Sequence, residues 1–205
     1  MRGLYVITPE ISKADHQTMD MLESALIGGA KILQLRNKKS TDNELFDLAS
    51  SIKELCKKYD CKFIIDDRVA LAKRVKSDGV HIGKFDVKLK DIREELKGFI
   101  IGVSCYGDVT YAKNMETQGA DYVAFGSFFH SPTKPESNIV PIDTISKAKE
   151  TITVPVCAIG GITLENAPLL INQGVDMVSV ISDIWQNQDI IKRAKDYTKL
   201  FGDNI

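Results

Sequence analysis

The sequence contains no apolar run approaching 18 residues, so no segment reads as a membrane-spanning helix. It has no basic excess either. The 27 Lys and Arg are balanced by 28 Asp and Glu, a formal charge of -1, which argues against a sequence-independent grip on nucleic acid or on an anionic membrane. Histidine is scarce, at three residues, and the four cysteines (Cys56, Cys61, Cys105 and Cys157) form no Cys-x-x-Cys pair. A protein-held zinc ion needs ligands paired at short spacing, so none is expected. The cysteines read instead as small reduced hydrophobes of a cytosolic core. The first residues, Met1 to Pro9, turn polar too soon for a secretory signal. The expected location is the cytoplasm.

What the sequence does have is a regular alternation of two textures. Short runs rich in Val and Ile recur at Leu4 to Ile7, Ile32 to Leu35, Phe63 to Ile65, Gly79 to Ile82, Phe99 to Val103, Tyr122 to Phe125, Val154 to Ile159 and Met177 to Ile181. They are nearly continuously apolar, the pattern of parallel strands covered on both faces. Between them lie segments of helical period. Leu45, Leu48, Ala49, Ile52, Leu55 and Cys56 share one helical face. Met19 to Ile27, Val69 to Val75, Tyr111 to Gln118, Leu164 to Ile171 and Ile190 to Leu200 repeat the theme, more weakly joined by Ile92 to Leu96 and Ile142 to Ala148. Thr41 with Glu44 three residues on is an N-terminal capping signal. Eight strands, each followed by a helix, predict a closed (β/α)8 barrel, an α/β fold, over residues 1–205 as one unit. The first strand runs into Thr8-Pro9-Glu10, without the glycine-rich turn of a dinucleotide-binding sheet.

Barrels of this type place their chemistry at the carboxyl ends of the strands. Strand two ends in Gln34, Arg36 and Lys38, strand three in Asp66, Asp67 and Arg68, strand four in His81 and Gly83 with Asp86 just beyond, and strand five in Ser104. Arg36 and Lys38 suit the oxygens of a diphosphate. Asp67 and Asp86 offer hard carboxylate oxygens, and a few carboxylates plus substrate phosphates is how Mg²⁺ is usually held. Gly160-Gly161 after strand seven, with Thr163 as a helix cap and the end of strand eight beside it, is a position where barrels bind a single phosphate. Two anion sites on opposite rims predict a transferase that unites two phosphorylated small molecules.

Several of these stretches together resemble the thiamine-phosphate synthase family. They are Gln34-Leu35-Arg36-Asn37-Lys38, Asp66-Asp67-Arg68, Gly79 to Gly83 with Asp86, Gly102 to Tyr106, Tyr122 to Phe129 followed by Ser131-Pro132-Thr133-Lys134, and Ala158 to Thr163. The resemblance is collinear from Gly3 to about Ser182. It implies a barrel enzyme that joins 4-amino-2-methyl-5-(diphosphomethyl)pyrimidine to 4-methyl-5-(2-phosphoethyl)thiazole, or its carboxylated form, and releases pyrophosphate. It further implies that Arg36, Lys38 and Lys134 bind the pyrophosphate, that Gln34 and His81 contact the pyrimidine, and that Ser104 lies near the reacting centre. Leu35, Asn37 and Asp66 fall within the same subsite. Ser104, Lys134 and Arg36 would carry the catalysis. Ser131, Pro132, Thr133, Gly161, Ile181 and Ser182 would cradle the thiazole phosphate, and Asp67 and Asp86 would hold one Mg²⁺ per subunit. Partners are then two small phosphorylated substrates, with no nucleic acid and no membrane, and a homo-oligomer is left open.

The sequence departs from the family pattern at Asp66, where Asn is usual, and at Lys84, where Gln is usual. The two changes add opposite charges and are expected to compensate. His130, just before the Ser-Pro-Thr-Lys stretch, raises an alternative, because related thiazole tautomerases use a histidine in this loop. The other alternative is a non-catalytic barrel that binds thiamine intermediates.

Overall fold

A computed structural model of the chain describes residues 1–83, 86–131 and 136–202. Eight parallel strands, β1 (Gly3–Ile7), β2 (Ile32–Leu35), β3 (Lys62–Asp66), β4 (Gly79–Ile82), β5 (Ile100–Tyr106), β6 (Tyr122–Phe125), β7 (Val156–Ile159) and β8 (Met177–Val180), pair in chain order and close through β8 onto β1. The helices outside them are α1 (His16–Ile27), α2 (Asp42–Lys58), α3 (Val69–Val75), α4 (Leu89–Ile92), α5 (Val109–Thr117), α6 (Thr144–Lys149), α7 (Ala167–Ile171), α8 (Ser182–Trp185) and α9 (Ile190–Lys199). This is the expected (β/α)8 barrel.

The continuous apolar strands divide by parity into two cores. Leu4 and Val6 of β1, Leu33 of β2 and Val178 of β8 face outward and meet the helices. Tyr5, Ile32, Ile64, Tyr122, Cys157 and Met177 face inward and fill the barrel. Successive strand residues point to opposite faces, so a strand buried on both sides needs apolar residues at every position. All four cysteines are buried and unpaired.

A repeated device fastens the amino-terminal end of the barrel. Asp78, Asp121 and Asp176 each precede an even-numbered strand. Their carboxylates accept the backbone N–H of Phe63, Ile101 and Val156 at 2.9, 2.7 and 2.7 Å. Each is also paired with a cation, Lys53, Arg93 or Lys149. The strands β3, β5 and β7 are thereby anchored to their successors at the end remote from the polar cluster, a position associated with stability rather than chemistry.

Helix α2 matches its sequence signal closely. Leu45, Leu48, Ala49, Ile52 and Cys56 are buried, and Thr41 and Glu44 form a reciprocal capping box. Two helices differ from expectation. The segment Ile92 to Leu96 is mostly turn, because α4 ends at Ile92 and the Arg93 guanidinium then takes the carbonyls of Leu96 and Phe99. Helix α7 begins at Ala167, not Leu164, with Pro168 in its first turn. The amide of Thr163 is bound by Asn166 Oδ1 at 2.9 Å, so Thr163 opens a separate turn instead of capping the helix.

Candidate active site

The carboxyl ends of the strands surround one cavity of about 980 Å³. Gln34, Arg36, Lys38, Asp66, Asp67, His81, Asp86 and Ser104 line one side of it. Gly161, Ile181 and Ser182 line the other, and Ser131 lies on its wall. Residues up to about 150 positions apart are thus brought to one hollow by the closure of β8 onto β1.

The first rim is an alternating lattice of charge. Backbone contacts set its frame: Arg36 N–H donates to Thr8 Oγ1 at 3.1 Å and Lys38 N–H to Glu10 Oε1 at 2.8 Å. The Arg36 guanidinium stands 3.8 Å from both Glu10 and Asp66. The Lys38 ammonium lies 2.7 Å from Asp66 and also pairs with Asp67. Asp67 has a left-handed backbone, φ 59°, and its N–H donates to the His81 carbonyl at 2.9 Å. Aspartate is among the few side chains that tolerate this conformation, which turns the chain sharply at the end of β3. Asp86 Oδ2 accepts the Gly83 N–H at 2.7 Å, and both residues line the cavity.

Arg68 holds this rim from behind. Its guanidinium donates twice to the Asn37 carbonyl (3.2 and 2.9 Å), once to the Ser40 carbonyl (2.6 Å) and once to Asp42 (2.7 Å). Asn37 stabilises the same loop, its Oδ1 accepting the N–H groups of Lys39 and Ser40 and its Nδ2 donating to the Ile11 carbonyl. The Asn37 side chain is therefore spent on the loop, and that of Leu35 lies in the strand–helix core. Both were expected in the diphosphate subsite, and neither side chain faces the cavity.

Below the rim, polar groups cross the barrel. Gln34 Nε2 donates to Tyr5 Oη at 2.7 Å, and the hydroxyls of Tyr5 and Tyr122 are 2.8 Å apart. Tyr122 Oη lies 2.9 Å from His81 Nδ1, and His81 Nε2 lies 2.8 Å from Ser104 Oγ. Burial holds both phenols well above their ordinary range; the Tyr122 neighbour adds to this at Tyr5, whereas the hydrogen bond with Tyr5 opposes it at Tyr122 and is outweighed, so both remain protonated. Cys157 shares this floor, and burial also pushes its thiol up, so it is not a thiolate nucleophile.

The second rim is built from backbone. Gly160 and Gly161 have φ of 101° and 63°, a region side chains rarely adopt, and a Cβ on Gly161 would lie 2.3 Å from the His130 carbonyl oxygen. The loop after β6 packs directly onto this turn, with Phe128 and Phe129 N–H donating to the Ile159 and Gly160 carbonyls. Trp185 Nε1 donates to the Ile7 carbonyl at 2.6 Å, tying α8 to the end of β1. His130 lines the cavity as well. Lys84, Pro132, Thr133 and Lys134, all named in the sequence reading, lie outside the described residues.

The donor set suits a hard divalent cation completed by a ligand. Glu10, Asp66, Asp67 and Asp86 carry four formal negative charges against two from Arg36 and Lys38, a surplus of two among the described residues. No group of three or more carboxylate, His or Cys side chains is arranged to hold a metal among those residues. The protein would then contribute one or two carboxylates and leave the remaining positions to water and substrate, the usual habit of Mg²⁺.

Tyr5, Tyr122, Arg68 and Asp183 were not singled out as functional in the sequence, yet Tyr5 and Asp183 line the cavity, Tyr122 bonds the lining residue His81, and Arg68 fastens the loop that follows Arg36. Parity was the available signal for the tyrosines, since both fall on inward positions of apolar strands.

Comparison with known proteins bears on the whole chain. The family model described as thiamine monophosphate synthase matches residues 4–184. The thiamine-phosphate synthase of Azoarcus sp. is 42% identical over 203 residues, covering 98% of each chain. That of Thioalkalivibrio sulfidiphilus is 39% identical over 202 residues, covering 98% of this chain and 96% of the relative. The thiamine phosphate pyrophosphorylase of Pyrococcus furiosus superposes with a TM-score of 0.88 at 33% identity, over 97% of this chain and 95% of that one. Among the described residues no helix is long and apolar enough to cross a membrane. With the fold, the cavity and the full-length identity in agreement, the chain belongs to the thiamine monophosphate synthase family.

Proposed function

We propose that this enzyme, a thiamine-phosphate synthase by family, condenses 4-amino-2-methyl-5-(diphosphomethyl)pyrimidine with 4-methyl-5-(2-phosphoethyl)thiazole, or its carboxylated form, to give thiamine phosphate and release pyrophosphate, together with CO2 when the carboxylated form reacts. The observation that carries this reading is the pairing of two unlike rims around one cavity. One is a lattice of Arg36 and Lys38 with acidic partners; the other is the left-handed glycine turn at Gly160 and Gly161 beside Ser182. A diphosphate matches the first, because guanidinium and ammonium bind its oxygens while adjacent carboxylates hold a cation. A monophosphate matches the second, where backbone can approach closely.

The thiazole nitrogen attacks with a lone pair and carries no proton, so no general base is needed. The bond from the pyrimidine methylene carbon to the pyrophosphate oxygen breaks ahead of the new bond to the thiazole nitrogen, a dissociative displacement in which pyrophosphate leaves with the electron pair and positive charge spreads into the aminopyrimidine ring. Arg36, Lys38 and Ser104 stabilise the departing oxygens, with Lys134 assigned the same task by resemblance. Groups already fixed in place perform this without reorganising. Asp67 and Asp86 would hold Mg²⁺, which when bound neutralises charge on the diphosphate. Gln34 and His81 orient the pyrimidine. Ser131, Pro132 and Thr133, with Gly161, Ile181 and Ser182, receive the thiazole phosphate. The buried protonated Cys157 takes no part as a nucleophile. The substrates are two small molecules met in solution, and the expected compartment is the cytoplasm.

The test is a two-substrate assay with purified protein and Mg²⁺, following thiamine phosphate and pyrophosphate together. Equimolar products, lost on chelation and in Lys134→Ala, are expected. No product from intact substrates would refute the reading.

A further inference from the structure

The series Gln34, Tyr5, Tyr122, His81 and Ser104 has a direction. An amide N–H can only donate, so Gln34 Nε2 gives its hydrogen to Tyr5 Oη. Either hydroxyl of the Tyr5–Tyr122 pair, 2.8 Å apart, could donate; a protonated phenol has one hydrogen and Tyr5 Oη already accepts from Gln34, so the polarity that uses every hydrogen of the series has Tyr5 donate to Tyr122. Tyr122 in turn spends its own on His81 Nδ1 at 2.9 Å. A neutral imidazole that accepts at Nδ1 carries its hydrogen on Nε2, and that hydrogen points to Ser104 Oγ at 2.8 Å. Ser104 is thus an acceptor within the series, and its own hydrogen is committed to no member of it.

The position of Tyr122 is built into its neighbours. Its ring stacks on His81 with centroids 5.6 Å apart and meets Tyr5 edge-on at 6.0 Å. Gly102, opposite it on β5, provides the room, since any Cβ there would lie within 2.3 Å of three atoms of the Tyr122 side chain. Removing the Tyr122 hydroxyl leaves a buried partner, Tyr5, and a half-buried one, His81, each without one hydrogen bond of the series.

We infer that Tyr122 is a positioning residue that fixes His81 as its Nε2–H tautomer and thereby keeps Ser104 a hydrogen-bond donor toward the cavity. The inference rests on the synthase reading for the identity of the acceptor, an anionic oxygen of the departing diphosphate. With the opposite polarity, Ser104 would give its hydrogen to His81 and present only lone pairs to that oxygen. The polarity of the relay decides whether the hydroxyl attracts or repels the leaving group.

The experiment uses the full-length protein with ¹⁵N-labelled histidine. The three histidines are assigned by His16→Gln and His130→Gln variants. Without substrates, His81 is expected as the Nε2–H tautomer alone. An Nδ1–H tautomer, or a mixture, overturns the proposal. In Tyr122→Phe the His81 signals should move toward a tautomer average, and kcat should fall about tenfold or more while KM for the thiazole phosphate holds. A Tyr122→Phe protein with the single tautomer and full kcat would also overturn it. Should that variant fail to fold, Tyr5→Phe keeps the Tyr122–His81 contact and removes the donor that orients it, together with the acceptor of Gln34 Nε2, with the same averaging at His81 expected. Because the tautomer is read without substrates, an inactive wild-type protein with the Nε2–H tautomer sinks the synthase reading and leaves the relay standing.

Discussion

Gly102 and Tyr122 face each other across β5 and β6 so closely that a Cβ on Gly102 would lie 1.9 Å from Tyr122 Cζ. Neither backbone can retreat, because each strand is hydrogen-bonded on both sides in the closed barrel. Gly102→Ala must therefore push the ring out of the floor of the cavity. Overpacking of a dense core typically costs about 1–3 kcal/mol. Thermal unfolding should show that loss, and turnover should fall in the same preparation as the Tyr122–His81 bond lengthens. A variant that melts and turns over like the parent would show that the ring has room elsewhere.

Lys38 sits where a second cation would also be attracted, between Asp66 and Asp67. Replacing it with Met leaves the two carboxylates facing each other without a counter-charge. In the absence of substrates, Mn²⁺ should then bind more tightly, by about tenfold, since ~1.4 kcal/mol is a modest share of a close pair's interaction near a protein surface. Turnover should fall, because a ligand for the diphosphate has gone. Mn²⁺ titration followed by electron spin resonance checks the first effect and the coupled product assay the second. Weaker Mn²⁺ binding in Lys38→Met would place the metal away from these carboxylates.

Asp66→Asn acts in the opposite sense. It removes one negative charge and gives the rim an amide that can donate to a phosphate oxygen. Lys38 keeps Asp67 as its partner. The Mg²⁺ concentration for half-maximal turnover should rise, and an unchanged metal dependence would leave Asp66 no part in charge balance. Pairing the change with Lys84→Gln tests whether the two departures from the family pattern compensate.

The barrel and most of its rim were readable because each depends on local pattern. Continuous apolar runs declared strands covered on both sides, and the polar residues that terminate them, such as Arg36, Lys38 and Asp67, fell where such barrels keep their sites. The interior relay was not readable in the same way. Tyr5, Tyr122 and His81 lie on separate strands, and only the register of the closed barrel brings their polar atoms together. Arg68 was visible as part of Asp66-Asp67-Arg68, but its role depends on where the loop after β2 folds. The short helices misled for another reason: the ends of α4 and α7 are decided by side-chain bonds from Arg93 and Asn166, which override periodicity. The aspartates at positions 78, 121 and 176 were overlooked because one charge before an apolar run resembles an ordinary turn.

Arg68 offers a test of that loop. Its four hydrogen bonds converge on Asn37, Ser40 and Asp42, which frame the chain carrying Arg36 and Lys38. Arg68→Ala leaves carbonyls without partners and should cost about 1–3 kcal/mol in thermal or urea unfolding. Loss of loop order should raise KM for the pyrimidine diphosphate far more than KM for the thiazole phosphate. Arg68→Lys should rescue little, because a single ammonium cannot reproduce the planar fork. Equal changes in both KM values would mean a general loss of structure.

Glu116 sets a pH limit far from the cavity. Burial tends to raise its carboxyl pKa, but Lys113, the Thr153 hydroxyl and the N–H groups of Thr153 and Val154 outweigh it and hold the group at about 2, below its ordinary 4.5. Oε1 accepts the Thr153 and Val154 amides at 2.6 and 3.0 Å, which fastens α5 to the segment leading into β7. A carboxyl whose folded pKa is depressed adds stability that is fully present above its unfolded pKa and is lost as pH falls toward the folded one. That window runs from about 4.5 down to about 2. Glu116→Gln keeps an acceptor oxygen but not the charge, so the variant should be less stable than the parent at neutral pH and the gap should close as pH falls through the window. Urea midpoints for both proteins at about pH 7, 4 and 2.5 measure this directly. A gap that stays constant across the three would mean that the carboxylate's charge contributes nothing and that its hydrogen bonds act through shape alone.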